Sequence, residues 1–118
     1  MKKQFNLFKV IWKFTWYNSE NGEVSNDTKF RYFQSGEIIW ADYNGGDIIK
    51  GSLIGKYVEM DEIEFVYQHI NLNNELMTGK CRTKIKMDKN KKLRLIENWQ
   101  WTCKDYSKGK SELIEISS

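Results

Sequence analysis

A carboxylate on the apolar face of an amphipathic segment is the first place to look for chemistry, and Glu97 is such a residue. In the run Lys91 to Cys103 it shares a face with Leu93, Leu95, Trp99 and Trp101, while Arg94, Asn98, Gln100 and Thr102 take the other. Removing a lone carboxylate from water is costly, so the group either reaches a partner or keeps its proton with a raised pKa. Tyr32, Tyr67, Arg31 and His69 are the candidate partners. A raised pKa suits proton transfer, and a structural carboxylate hydrogen-bonded to tyrosine or backbone fits the same pattern. His69, the only histidine, alternates with Phe65 and Tyr67. Either His69 or Tyr67 could form an acid/base pair with Glu97, acting on a small substrate. His69 also lies just before the Asn71-Leu72-Asn73-Asn74 turn, where an imidazole hydrogen-bonded to a loop is the plainer reading. No spacing supplies a triad, a phosphate loop, a nucleophile elbow or paired carboxylates.

The aromatic residues offer a different chemistry. Tyr32, Tyr43, Tyr67, Trp99 and Trp101, with Trp12, Trp16 and Trp40, are suited to line a pocket for a small apolar or aromatic molecule, and equally suited to fill a core. One histidine and two cysteines at non-ligand spacing give no metal site, and no cofactor is implied. Lys80, Arg82, Lys84 and Lys86 alternate on one face with Arg94 across a hairpin. Beside an exposed aromatic such as Trp40 this could bind single-stranded nucleic acid, but acidic residues dilute the charge and a solvated, lysine-guarded face accounts for it.

Positioning these residues requires strands. Turn signals recur at Asn18–Gly22, Gln34–Gly36, Asn44–Asp47, Asn71–Asn74, Asp88–Asn90 and Asp105–Gly109, with a softer break at Lys56–Asp61. Seven breaks separate about eight strands, the number at which a small antiparallel barrel closes. Between the breaks, alternation sets the inward faces. These are Met77, Gly79, Cys81, Thr83, Ile85 and Met87; Ile63, Phe65, Tyr67 and His69; Phe30 and Tyr32; Ile39, Ala41 and Tyr43; and Ile49, Gly51, Leu53 and Gly55. Phe8, Val10, Trp12, Phe14 and Trp16 alternate in the first strand, and Glu112 to Ile116 in the last. The expected fold is therefore all-β: one domain over residues 1–118, a single up-and-down meander closed into a lipocalin-like barrel with little helix.

Composition agrees. There is no proline to interrupt a ladder and a single alanine, Ala41, to favour helix. With 40% hydrophobic and 30% charged residues the chain is too apolar for disorder and too charged for the membrane. The balance of 19 basic against 16 acidic residues leaves a weak field and implies no strongly acidic partner. Asn6 and Lys9 interrupt what would otherwise start like a signal peptide, so a cytoplasmic protein with free thiols is expected. If a hairpin turns near Lys89-Asn90, Cys81 lies opposite Trp99 and Cys103 falls roughly 13 Å further along, too far for a disulfide.

The chain also resembles a group of small, uncharacterised bacterial proteins that often carry the name N-acetylglutamate synthase. The shared pattern is Asn21-Gly22-Glu23, Gly36, Ala41-x-Tyr43-x-Gly45-Gly46, Gly51-x-Leu53-Ile54-Gly55 and Tyr67, then Glu75-Leu76-Met77-Thr78-Gly79-x-Cys81, Leu95-x-Glu97-x-Trp99-Gln100-Trp101-Thr102 and Asp105-x-Ser107-x-Gly109. The resemblance implies a barrel of lipocalin or avidin type and transfers no catalytic residue. The leading expectation is a non-enzymatic module binding a small molecule among Tyr32, Tyr43, Tyr67, Trp99 and Trp101. The rivals are an enzyme built on Glu97 with His69 or Tyr67, and a surface that binds protein or nucleic acid. Oligomeric state is left open by the sequence.

Overall fold

Alternating apolar and polar side chains, interrupted by turn residues, fold the described residues into eight antiparallel strands, each hydrogen-bonded to its neighbours in sequence. The computed structural model describes the backbone of residues 10–17, 23 and 27–117 and the side chains of 23 and 27–115. The strands are β1 (Val10–Tyr17), β2 (Lys29–Ser35), β3 (Ile38–Gly45), β4 (Ile48–Glu59), β5 (Glu62–Asn71), β6 (Leu76–Met87), β7 (Leu93–Trp101) and β8 (Lys108–Ser117). Pairing of β1 with both β2 and β8 closes the barrel. The described residues include no helix, so none long and apolar enough to cross a membrane.

The core lies inside. Tyr32, Ile39, Ile63, Leu95 and Leu113 are fully buried, and Phe30, Ala41, Tyr43, Phe65, Cys81 and Ile85 pack with them. The inward faces of β2, β3 and β5 are those expected. In the best-defined hairpin Cys81 stands opposite Trp99, in the expected register, and both cysteines are free thiols. Asp88 holds that turn: its carboxylate accepts from the amides of Asn90 and Lys92 and from Arg94 Nε.

Two expected inward positions prove otherwise, and one aromatic offered as a pocket liner lies outside. Ile48 is buried and Ile49 is 52% exposed, because Ile48 pairs with Asn71 and Lys50 with Ile70, leaving Ile49 as the extra residue of a bulge. The bulge restores the phase of alternation before Gly51 and Leu53, which do face inward. Met87 is 54% exposed, since β6 ends there and its side chain has passed the rim of the core. Trp40 lies on the outer wall and stacks on Phe33, so it lines no interior pocket. The side chains of Phe8, Trp12, Phe14 and Trp16, and the Asn18–Gly22 turn, lie outside the described residues.

Large inward rings stand opposite glycine on the adjacent strand. Tyr43 stands opposite Gly51, Phe65 opposite Gly55, Tyr67 opposite Gly79 and Trp99 opposite Gly109. A Cβ on Gly51 would sit 2.4 Å from the Tyr43 ring, and one on Gly79 only 2.1 Å from the Tyr67 ring. Gly51 and Gly79 therefore leave the volume that the rings of Tyr43 and Tyr67 occupy, whereas a Cβ on Gly55 would strike the Glu64 carbonyl oxygen and Phe65 Cβ. Gly79→Ala forces Tyr67 out of its place and should destabilise the barrel by about 1–3 kcal/mol. That appears as a lower urea midpoint at unchanged m-value; an unchanged midpoint would show that the ring is not held by this contact.

Candidate functional site in the barrel

Two polar clusters occupy the apolar interior. The first is a row across three strands: Thr83 of β6 faces Glu97 of β7, which faces Ser111 of β8. All three are buried. Ser111 Oγ donates to Glu97 Oε1 at 3.0 Å, whereas Glu97 Oε2 has no hydrogen-bond partner among the described residues. Burial pushes the Glu97 carboxyl up to about 8, a rise that the Ser111 hydrogen bond only partly opposes. At neutral pH Glu97 thus carries its proton. With Oε1 accepting from Ser111, that proton belongs on Oε2, which makes the group an O–H donor. Cys81 Sγ lies 3.3 Å from Thr83 Oγ1, and burial followed by the nearby Glu97 raises both the Cys81 thiol and the Tyr32 phenol well above their ordinary values.

The second cluster closes the end of the barrel that carries the β1–β2 connection. His69, only 2% exposed, accepts from or donates to Tyr43 Oη at 3.0 Å through Nδ1, and its Nε2 lies 2.8 Å from Glu23 Oε1. A carboxylate only accepts, so Nε2 carries the hydrogen and Nδ1 accepts from Tyr43. Asn71 Nδ2 donates to Glu23 Oε2 and to Glu75 Oε1, both at 2.9 Å, and Asn71 Oδ1 accepts from the amides of Asn73 and Glu75. Lys104, from the β7–β8 turn, pairs with Glu75. One chain of polar contacts therefore links the β1–β2 connection, β3, the β5–β6 turn and the β7–β8 turn.

The imidazole in this chain is a neutral donor–acceptor. Burial lowers the His69 pKa below 6.5 more than the Glu23 contact raises it, so the Glu23–His69 contact at neutral pH is a hydrogen bond to a carboxylate rather than an ion pair. His69 therefore favours the folded state at neutral pH and loses that contribution as pH falls through 6.5 towards its folded value. As the only histidine it gives one C2–H signal in proton NMR. Its midpoint should lie below 6.5 and fall further in Glu23→Gln; an upward move would reverse the assignment.

The five aromatic residues singled out from the sequence do come together. Tyr32 and Tyr43 flank Phe30, with Phe30 and Tyr43 stacked at 4.6 Å between ring centroids. Tyr43 meets His69 edge-on, His69 meets Trp101, and Trp101 meets both Tyr67 and Trp99 at 5.7–5.9 Å. Glu97 and His69 are not so joined: the first hydrogen-bonds Ser111, the second Tyr43 and Glu23. Arg31, another candidate partner of Glu97, is exposed and faces Asp42 at 3.7 Å. The basic stripe is on the outer wall as expected, with Arg82 paired to Glu62 and Glu64, and Lys84 to Asp61. No cluster of three or more metal-binding side chains occurs among the described residues.

Sequence reasoning missed Glu23, Asn71 and Ser111. Asn71 carried a signal, since an asparagine opening a turn commonly accepts from amides two residues on. Ser111 lies on the alternating inward series Gly109, Ser111, Leu113 and could have been read from it.

A family model described as avidin-like protein matches residues 12–116, nearly the whole chain. No curated protein and no solved structure matches. The name N-acetylglutamate synthase finds no support in these comparisons. Nor does any helix among the described residues offer an N-terminus to hold the pyrophosphate of acetyl-CoA.

Proposed function

Since the chain belongs to the avidin-like family, we propose that it is a small-molecule-binding barrel whose ligand is neutral, largely apolar or aromatic, and bears a carbonyl-type oxygen. One observation carries this reading: Glu97 Oε2 is buried among Tyr32, Cys81 and Ser111 with no hydrogen-bond partner among the described residues. Buried polar atoms are nearly always satisfied, so one left over inside a family of barrels is where a ligand atom belongs. Protonated Glu97 would donate to the ligand oxygen. Tyr32, Tyr43, Tyr67, Trp99 and Trp101 would supply the aromatic wall, and the Glu23–His69–Tyr43 chain would hold Tyr43 in place.

The acid/base reading has less support. Both ring nitrogens of His69 are already engaged, and Glu97 faces a serine.

The test is a melting-temperature screen of neutral carbonyl and amide compounds, biotin among them, after native mass spectrometry of the freshly purified protein. A ligand at 100 times its Kd should stabilise the fold by about 2.7 kcal/mol, a clear shift of the melting point. The shift should disappear in Trp99→Ala. No co-purified mass and no shift across the screen would turn attention from the interior to the outer wall.

A further inference from the structure

The outer wall carries a groove of its own. Across β4 to β8 runs a groove of about 850 Å³ whose floor is the backbone of the row from Gly55 to Gly109, and whose rims are the outward side chains on either side of it. Five strands at about 4.8 Å spacing make it roughly 19 Å long, and rims two residues apart along each strand make it about 7 Å wide. These are the proportions of an extended alkyl chain.

Its two ends differ in chemistry. On β3 to β5 three of the five rim side chains are apolar: Ile38, Ile54 and Val66 are 46%, 59% and 58% exposed, although such side chains usually lie inside, and Lys56 and Glu64 complete the rims there. On β6 to β8 they are cationic and polar, with Lys80, Arg82, Lys108 and Lys110 beside Asn98 and Gln100. Val66 stands directly opposite Lys80, and Gln100 opposite Lys108, so the apolar half runs into the basic half along one row. The groove is lined by five basic side chains against one carboxylate, Glu64, which Arg82 already engages. Among the described residues neither Lys80 nor Lys108 has a carboxylate within 4.0 Å.

We infer that this groove binds a single-chain anionic amphiphile, free in solution, with its alkyl chain over Ile38, Ile54 and Val66 and its headgroup against Lys80 and Lys108. Apolar contact supplies the dependence on chain length, and charge complementarity sets the direction in which the molecule lies. The site is separate from the barrel interior and does not depend on the reading given for it.

The experiment is an amide NMR titration of the full chain with dodecanoate below its micelle concentration. Dodecyltrimethylammonium is the oppositely charged control. Saturable shifts at residues 54, 66, 80, 100 and 108 are expected, with affinity rising from octanoate to dodecanoate. Lys80→Glu/Lys108→Glu should weaken dodecanoate at least tenfold and improve the cationic amphiphile, and Val66→Ser should weaken both. Because all of these side chains are exposed, the variants should keep the wild-type spectrum elsewhere. Equal binding of the two amphiphiles, or no effect of the charge reversal, would overturn the site. So would shifts centred on Glu97 and Tyr32, or binding seen only with vesicles of anionic phospholipid.

Discussion

Glu97→Gln should stabilise the protein at pH 8.5 by several kcal/mol while changing it little at pH 4. In the unfolded chain the carboxyl titrates at 4.5, and in the barrel at about 8. Its folded pKa is raised, so its favourable contribution is complete below pH 4.5 and is lost as pH rises to about 8. At 1.36 kcal/mol per unit the span sets an upper scale on the order of 5 kcal/mol. Glutamine keeps the oxygen that accepts from Ser111 and places an N–H donor where the acid proton was, so it removes the titration without the cavity that alanine would leave. Urea midpoints of wild type and variant at pH 4, 6 and 8.5 decide the matter. The two curves should diverge with rising pH, and parallel curves would mean that Glu97 is ionised in the folded protein. Working below pH 9 keeps Cys81 and the buried tyrosines out of the comparison, because their unfolded forms titrate at 9.0 and 10.0.

The same proton should control ligand affinity. If Glu97 donates to a ligand oxygen, the binding form is the protonated one, and affinity is level below pH 8 and falls tenfold per pH unit above it. In Glu97→Gln the donor persists at every pH, so binding survives and the alkaline loss disappears. In Glu97→Leu the donor is gone, and affinity should drop by at least tenfold at pH 7. Calorimetric titrations of the three proteins at pH 7 and 9 separate the possibilities. Affinity that rises with pH in the wild type would mean that the ligand presents a donor or a cation to an ionised carboxylate.

Much of this site could be read from residue order because most of the fold is local. Strand β6 alternates through Ile85, the Asp88–Asn90 turn sits at its end, and β7 alternates in return. Those facts alone put Cys81 opposite Trp99 and Glu97 in the interior. The failures share a physical origin. Ile48 and Ile49 are equally apolar, so alternation cannot say which is the bulged residue; only pairing with Ile70 and Asn71 decides it. The partner of Glu97 depends on how the β7–β8 turn sets the next register. A turn placed over Asp105–Gly109 conceals that Lys108 already begins β8 and that Gly109 faces Trp99. Glu23 reaches His69 across 46 residues of chain, and nothing in local periodicity carries such information.

The closure between β1 and β8 sets this barrel apart from an open sheet in the course of its folding. Seven of its eight ladders join strands adjacent in sequence and can form as short hairpins, each bearing a small loop entropy. The eighth brings Trp12 to Glu115, more than a hundred residues away, and includes two register shifts. Long-range ordering is thus concentrated in one ladder rather than spread over the sheet. That ladder is the one whose formation turns a curled ribbon with two exposed edges into a cylinder with none.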